Sequence, residues 1–279
     1  MIHLVPTLDH VVINVRDRID DGAETYRRLG FTLTPRGYHT LGSMNHLAMF
    51  GPDYLELIAA PPGSTARPEI LAASEGLNGL VFGTEDAAAT HFAMTQAGIA
   101  VFPPEEFSRP VPLPGGNRDA VFRTVRLMPG MVPAGRLYFC QHLTRDLVWR
   151  DEWRHHANGV TGVSRTVVVA TDTDDLGALF ARMFGSDAVR AIPGGCALTV
   201  GLSRFDVVSP DAFLAAFGDA GPAPEGRDTY MAALEFKTRS LDAAAAALEN
   251  GRIEGTRRTD ERIVVPARSA FGATLVFCL

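Results

Sequence analysis

The chain opens on alternating and β-branched apolar positions over residues 8–15 (LDHVVINV), which predict a strand, and continues over residues 20–29 with the spacing of a short amphipathic helix. Gly30 ends that helix, where a left-handed cap suits glycine, and residues 31–34 restart an extended run. Further strands are predicted over 47–50 and 54–59, divided by the turn Gly51-Pro52-Asp53, so the first unit reads βαβββ. The order then recurs. Residues 77–84, a helix over 87–96 ended by Gly98, and strands over 120–127 and 136–142 make a second unit. A third runs through 165–170, a helix over 176–184 with Gly185, then 196–200 and 204–208. The fourth comprises 232–236, an alanine-rich helix over 241–248 with Gly251, then 262–265 and 273–277.

The four helix-ending glycines lie roughly 65 to 90 residues apart, too wide for a solenoid and suited to a small βαβββ module. Charge, His155-His156 and Asn158-Gly159 interrupt the apolar pattern over 151–162, which places the linker between two halves, residues 1–160 and 161–279. A second loop over 221–228 precedes the fourth unit.

Composition narrows the function. With 46% hydrophobic and 21% charged residues the 279-residue chain can close an ordinary core. A net charge of −6, with no basic stripe, excludes a nucleic-acid surface, and there is no phosphate-binding glycine loop. The single lysine, Lys237, leaves lysine chemistry one candidate. Cys140, Cys196 and Cys278 are odd in number and sit in apolar runs, the pattern of reduced, buried thiols. No apolar run approaches ~18 residues and no leader pattern opens the chain, so a cytoplasmic protein without a membrane span is expected. Four modules can pair within one chain, which allows a monomer or a homodimer.

LDHVVINV, the helix ending YRRLGF, the run LGSMNHL over 41–47 and the strand YLELI together resemble the first module of glyoxalase-like proteins in the vicinal oxygen chelate superfamily. Residues 140–159 resemble the stretch that follows the second module there, so the likeness spans about residues 5–160. It implies an α+β fold in which paired βαβββ modules form an incompletely closed barrel. It also implies a divalent metal (zinc, iron, manganese or nickel) held by His or Glu from the first and last strands of each module, acting on a small molecule with vicinal oxygens.

Carried over position by position, His10 falls on the first strand, on the face of Leu8 and Val12, as a metal ligand or a core histidine. Glu56, amid YLELIA, is costly to bury without a cation, unless its face is solvent-exposed or an arginine pairs it. The second module departs from the pattern. Gly79 stands opposite His10 and Cys140 opposite Glu56, leaving His142 as a third ligand. His10, Glu56 and His142 would suit lyase, isomerase or extradiol-type dioxygenase chemistry. Glu56 is also a catalytic candidate beside His46, a possible general base on the face of Met44 and Ala48. Trp149, Arg150 and Trp153 could line the cavity or pack between halves. In the third module Arg165 replaces His10 and Asp206 replaces Glu56, which reads as an ion pair in a half without a site. The missing ligand at Gly79 equally fits a metal-free protein that sequesters a small molecule.

Overall fold

A computed structural model describes residues 4–279. The first half is built from β1 (Leu8–Asn14), α1 (Ile19–Arg28), β2 (Gly37–Tyr38), β3 (Met44–Met49) and β4 (Tyr54–Ala59). The short α2 (Pro68–Ala72) leads to β5 (Gly76–Gly83), α3 (Ala87–Gln96), β6 (Glu105–Leu113), β7 (Gly116–Arg126) and β8 (Arg136–His142). These strands form one sheet in the order β2-β3-β4-β1-β5-β8-β7-β6. Two modules thus meet back to back, through antiparallel pairing of their first strands β1 and β5.

The sheet edges come together where the Thr40 N–H donates to the Ser108 carbonyl at 3.0 Å and the Ser108 N–H donates to Thr40 Oγ1 at 3.2 Å. These bonds curl the sheet into a nearly closed barrel. Residues 31–34 form no strand: Thr34 is tied to Leu47 through its N–H and Oγ1, and Pro35, which has no N–H, follows. The unpredicted β6 carries Pro110 and Pro112, which an edge strand tolerates because one row of its N–H groups has no partner.

The second half repeats the plan with β9 (Val160–Ala170), α4 (Asp174–Phe184), β10 (Val189–Ile192), β11 (Gly195–Val200), β12 (Ser203–Val208), α5 (Pro210–Phe217), β13 (Thr229–Thr238), α6 (Leu241–Asn250), β14 (Arg257–Arg258), β15 (Arg262–Val265) and β16 (Thr274–Cys278). Its order, β10-β11-β12-β9-β13-β16-β15-β14, is that of the first sheet, position for position. No helix among the described residues is long and apolar enough to cross a membrane.

Strand alternation divides β1 between two environments. Val11, Ile13 and Val15 face outward into a core that both halves share, where Phe31 meets Phe236 at 5.4 Å and Phe82 meets Phe184 at 4.8 Å between ring centroids. His10 and Val12 face into the barrel. In the second barrel α5 inserts Phe213 and Phe217 among Val167, Val169, Tyr230 and Ala232. Arg165 Nε lies 2.7 Å from Asp206 Oδ2, and Arg204 Nε 2.7 Å from Asp206 Oδ1. The ladder puts Arg204 opposite Arg165 as it puts Tyr54 opposite His10, so the ion pair stands where the first half has His10 and Glu56.

Asp53, in the turn before β4, ties the halves by accepting the Val163 N–H at 3.0 Å. Burial pushes its carboxyl up to about 7, against the stabilising Val163 bond. A raised folded-state value means the contribution is complete below the ordinary carboxylate range and is lost as pH rises through about 7. Asp53→Asn keeps an acceptor without the charge. Its unfolding midpoint should match wild type near pH 4 and exceed it at pH 8, with a stability gain of a few kcal/mol at the higher pH. An equal midpoint difference at both pH values, measured by thermal denaturation, would refute this account of the seam.

Candidate metal centre

The first barrel encloses a cavity of about 480 Å³. His10 enters it from β1, Tyr54 and Glu56 from β4, Asn45 from β3, Tyr138 and Cys140 from β8, Phe107 and Arg109 from β6, and His39 from the turn after β2. His10 and Glu56 are 3% and 5% exposed, so both sequence candidates lie inside the barrel, on the same face of adjacent strands.

A break in the β1–β5 register between Leu8 and His10 alters the alternation. Leu8 packs toward the shared core instead of beside His10, and the bulged Asp9 turns to the barrel side. There Asp9 Oδ2 accepts from His10 Nδ1 at 2.6 Å and from His142 Nε2 at 3.1 Å. Burial opposes the Asp9 charge, but His142 and His10 outweigh it and hold the carboxyl well below the usual range. With Nδ1–H committed to Asp9, His10 presents Nε2 to the cavity, where the Tyr138 hydroxyl lies 3.1 Å away. The His10 ring stacks on Tyr54 at 4.4 Å.

Glu56 receives histidines on both sides: Oε2 is 3.7 Å from His10 Nε2, and Oε1 is 3.9 Å from His39 Nε2. His39 repeats the logic of His10. Asn45 Nδ2, which can only donate, lies 3.2 Å from His39 Nε2, so Nε2 is the acceptor and the Nδ1–H faces Ser43 Oγ at 2.9 Å. Burial pushes His39 down to about 4, partly offset by Glu56. Asn45 Nδ2 donates to Glu56 Oε1 at 2.6 Å. Burial also opposes the charge of Glu56, yet His10, His39, Asn45 and Arg136 together hold its carboxyl below the ordinary value.

Two imidazoles flank one buried carboxylate, His10 Nε2 beside the Tyr138 hydroxyl and His39 Nε2 beside Asn45 Nδ2 at 3.2 Å, and a cation would neutralise the carboxylate. Ligand atoms each about 2.1 Å from a tetrahedral ion stand ~3.4 Å apart. The 3.7 Å between His10 and Glu56 is close to that separation. His10 and Glu56 fit two positions around a divalent metal; among the described residues no third His, Cys, Asp or Glu donor lies within 4.8 Å of both.

The remaining sequence candidates lie elsewhere. His142 stands beyond Asp9, its ring 4.7 Å from Trp149 and 5.1 Å from Phe122, so the structure does not bring it to Glu56. It groups instead with Asp9 and Cys140, whose potential ligand atoms lie within 4.8 Å of one another. His46 is on the opposite face of β3 from Asn45, and its Nδ1–H donates to the Thr34 carbonyl at 2.8 Å, which removes it from any role at the cavity. Trp149 packs behind the wall, 5.3 Å from Tyr54 with the Arg145 guanidinium 3.5 Å above it. Arg150 pairs with Glu152 at 2.8 Å, and Trp153 joins the packing around Trp149. None of the three lines the cavity. In the linker, His156 accepts the Thr32 N–H at 3.0 Å and donates to the Met49 carbonyl at 2.8 Å, so it serves as a packed hinge. From β5, Gly79 and Val81 face the barrel, and neither supplies a ligand.

The glyoxalase-like domain model matches residues 8–184, the whole first half together with β9 and α4. The chain belongs to the glyoxalase-like domain family. No curated protein matches it in sequence. Among solved structures it is similar to a hypothetical protein from Staphylococcus aureus, with 12% identity and a TM-score of 0.69 over 98% of this chain and 99% of that one. A triple mutant of 4-hydroxymandelate synthase from Streptomyces coelicolor aligns with 14% identity and a TM-score of 0.57 over 98% and 92% of the two chains. A xylose isomerase-like TIM barrel/4-hydroxyphenylpyruvate dioxygenase fusion protein aligns at 14% identity and a TM-score of 0.60 over 99% of this chain and 49% of its own. At these identities the likeness establishes the vicinal oxygen chelate fold. In this glyoxalase-like chain the cavity lined by His10 and Glu56 lies in the first of the two barrels.

Sequence reading missed Asp9, His39, Asn45, Arg109, Arg136 and Tyr138. Extending the alternation of β8 back from Cys140 would have reached Tyr138 and Arg136. No local signal marks the bulge at Asp9 or the approach of His39, which depends on closure of the sheet edges.

Proposed function

We propose that this glyoxalase-like protein is a metal-dependent enzyme acting on a small molecule with vicinal oxygens, in the cavity of its first barrel. The observation that carries the reading is the buried Glu56 carboxylate with an anchored imidazole 3.7 Å from one oxygen and another 3.9 Å from the second. His10 and Glu56 would hold the metal, with His39 the next imidazole. One imidazole and one carboxylate would suit Fe(II), Mn(II) or Zn(II) with the further positions taken by substrate oxygens or water, since His39 does not stand within 4.8 Å of both.

When bound, the metal supplies Lewis-acid stabilisation of charge developing on substrate oxygens, as lyases, isomerases and ring-cleaving dioxygenases require. The chain's own residues do the rest. Asp9 holds the proton at His10 Nδ1 and keeps Nε2 free as a donor atom. Asn45 fixes the Glu56 carboxylate. Tyr138 places a hydroxyl proton beside His10 Nε2 at 3.1 Å, within reach of a substrate oxygen in the cavity. Apolar side chains, Phe107, Phe122, Leu47 and Ile58, exclude water around the reacting group.

Protein purified without chelator or affinity tag should carry close to one equivalent of divalent metal, and His10→Ala only traces. Metal analysis showing traces in both, with no uptake on reconstitution, would overturn the proposal. The lack of a ligand from β5 favours a second reading, a metal-free binding protein. It predicts thermal stabilisation by organic ligands and none by divalent metal.

A further inference from the structure

The cavity also carries cations that a metal centre does not need. Alternation along β6 turns Phe107, Arg109 and Val111 inward, and Arg109 is 5% exposed. Gly37 makes room for it: a Cβ there would stand 3.0 Å from Arg109 Cδ. Among the described residues Arg109 makes no hydrogen bond to a side chain or carbonyl and no ion pair, although it lines the cavity wall. Arg136, at the start of β8, donates from Nε to Asn78 Oδ1 at 3.2 Å, while its Nη2 is buried without a partner.

The other arginines on this wall are satisfied, Arg67 by Glu69 at 2.5 Å and Arg126 by Glu105 at 2.6 Å. Of the two carboxylates among the described residues of the cavity lining, Glu69 is paired with Arg67, which leaves Glu56 to balance Arg109 and Arg136, and a divalent metal would engage it. An unpaired buried guanidinium is unfavourable, and its planar fork matches a carboxylate. Around the two arginines the wall is apolar and aromatic, with Leu41, Phe107, Phe122, Leu127 and Met128.

Resting on the functional reading above, we infer that the substrate is an organic carboxylate, whose carboxylate is held by Arg109 and Arg136 and whose apolar body lies against the phenylalanines. The two arginines thus fix the end of the molecule remote from the reacting oxygens, and neutral analogues are excluded because they leave both guanidinium groups unpaired.

The test uses the full chain after chelator treatment and again after reconstitution with Mn(II). Benzoate, phenylacetate and 3-phenylpropionate are titrated calorimetrically against the corresponding primary alcohols. At least one acid should bind with no saturable binding of its alcohol, and Arg109→Gln and Arg136→Gln should each weaken that acid at least about tenfold. Circular dichroism checks that the variants fold; if either does not, the acid-to-alcohol comparison on the wild type still decides. Equal binding of acid and alcohol, no binding of any acid at millimolar concentration, or undiminished binding by both folded variants overturns the inference. The chelated sample separates the two readings. Acid preference without metal uptake sinks only the metal centre, whereas metal uptake without acid preference sinks only the carboxylate site.

Discussion

Glu56→Gln is expected to weaken divalent-metal binding at least about 100-fold, because loss of even an outer-shell partner costs about 10–100-fold and Glu56 would be a direct ligand. Glutamine preserves the volume of the side chain and can still accept from Asn45, so packing survives while the charge that would offset the cation is gone. Asp9→Asn should cost about 10–100-fold. A neutral amide oxygen accepts more weakly than the carboxylate that serves both His10 Nδ1 and His142 Nε2, so the hold on the His10 ring loosens. His46→Ala, on the far face of β3, should leave affinity unchanged. Competition titrations with Mn(II) and Zn(II) report all three. Wild-type affinity in Glu56→Gln would remove the carboxylate from the metal centre, and a loss in His46→Ala as large as that in Glu56→Gln would show that the assay reads unfolding.

The largest expected effect on stability lies far from the cavity, at Gly251→Ala. An alanine Cβ there would fall 1.8 Å from the carbonyl oxygen of Arg28, a backbone atom that cannot turn aside as a side chain can. The C-terminal ends of α1 and α6 meet at this point, and Arg28 Nε donates to the Gly251 carbonyl at 2.8 Å. Relief requires the helices, and with them the two halves, to move apart. Overpacking of this kind costs about 3 kcal/mol, which lowers the thermal midpoint by roughly 5–10 °C for a chain of this size. Gly98→Ala is the comparison. Its φ of +69° is strained for alanine, but no atom stands in the way, so about 1 kcal/mol is expected. Equal midpoints for the two variants in calorimetry would mean that the helix contact yields easily.

These glycines show where sequence reading works and where it stops. Gly30, Gly98 and Gly185 have φ of +89°, +69° and +93°, as expected of chain reversals after helices. Gly251 looks the same in sequence but has φ of −75°, and it is glycine because another helix touches it. Conformational preference is a local property, whereas close approach belongs to a pair of segments far apart in the chain.

The same division runs through the candidate site. Alternation in LDHVVINV and YLELIA put His10 and Glu56 among apolar side chains, the glyoxalase-like resemblance together with the cost of burying a carboxylate singled them out as candidate ligands, and period and composition gave the four modules. The ion pair in place of a site in the second half was also legible, as Arg165 and Asp206 confirm at 2.7 Å. Tertiary structure alone decided that His39 stands beside Glu56 and His142 does not, that Asp9 orients His10, and that Arg109 enters the cavity from a proline-bearing edge strand. A strand's period fixes which face a side chain takes, but bulges and the closure of the sheet fix what stands across from it.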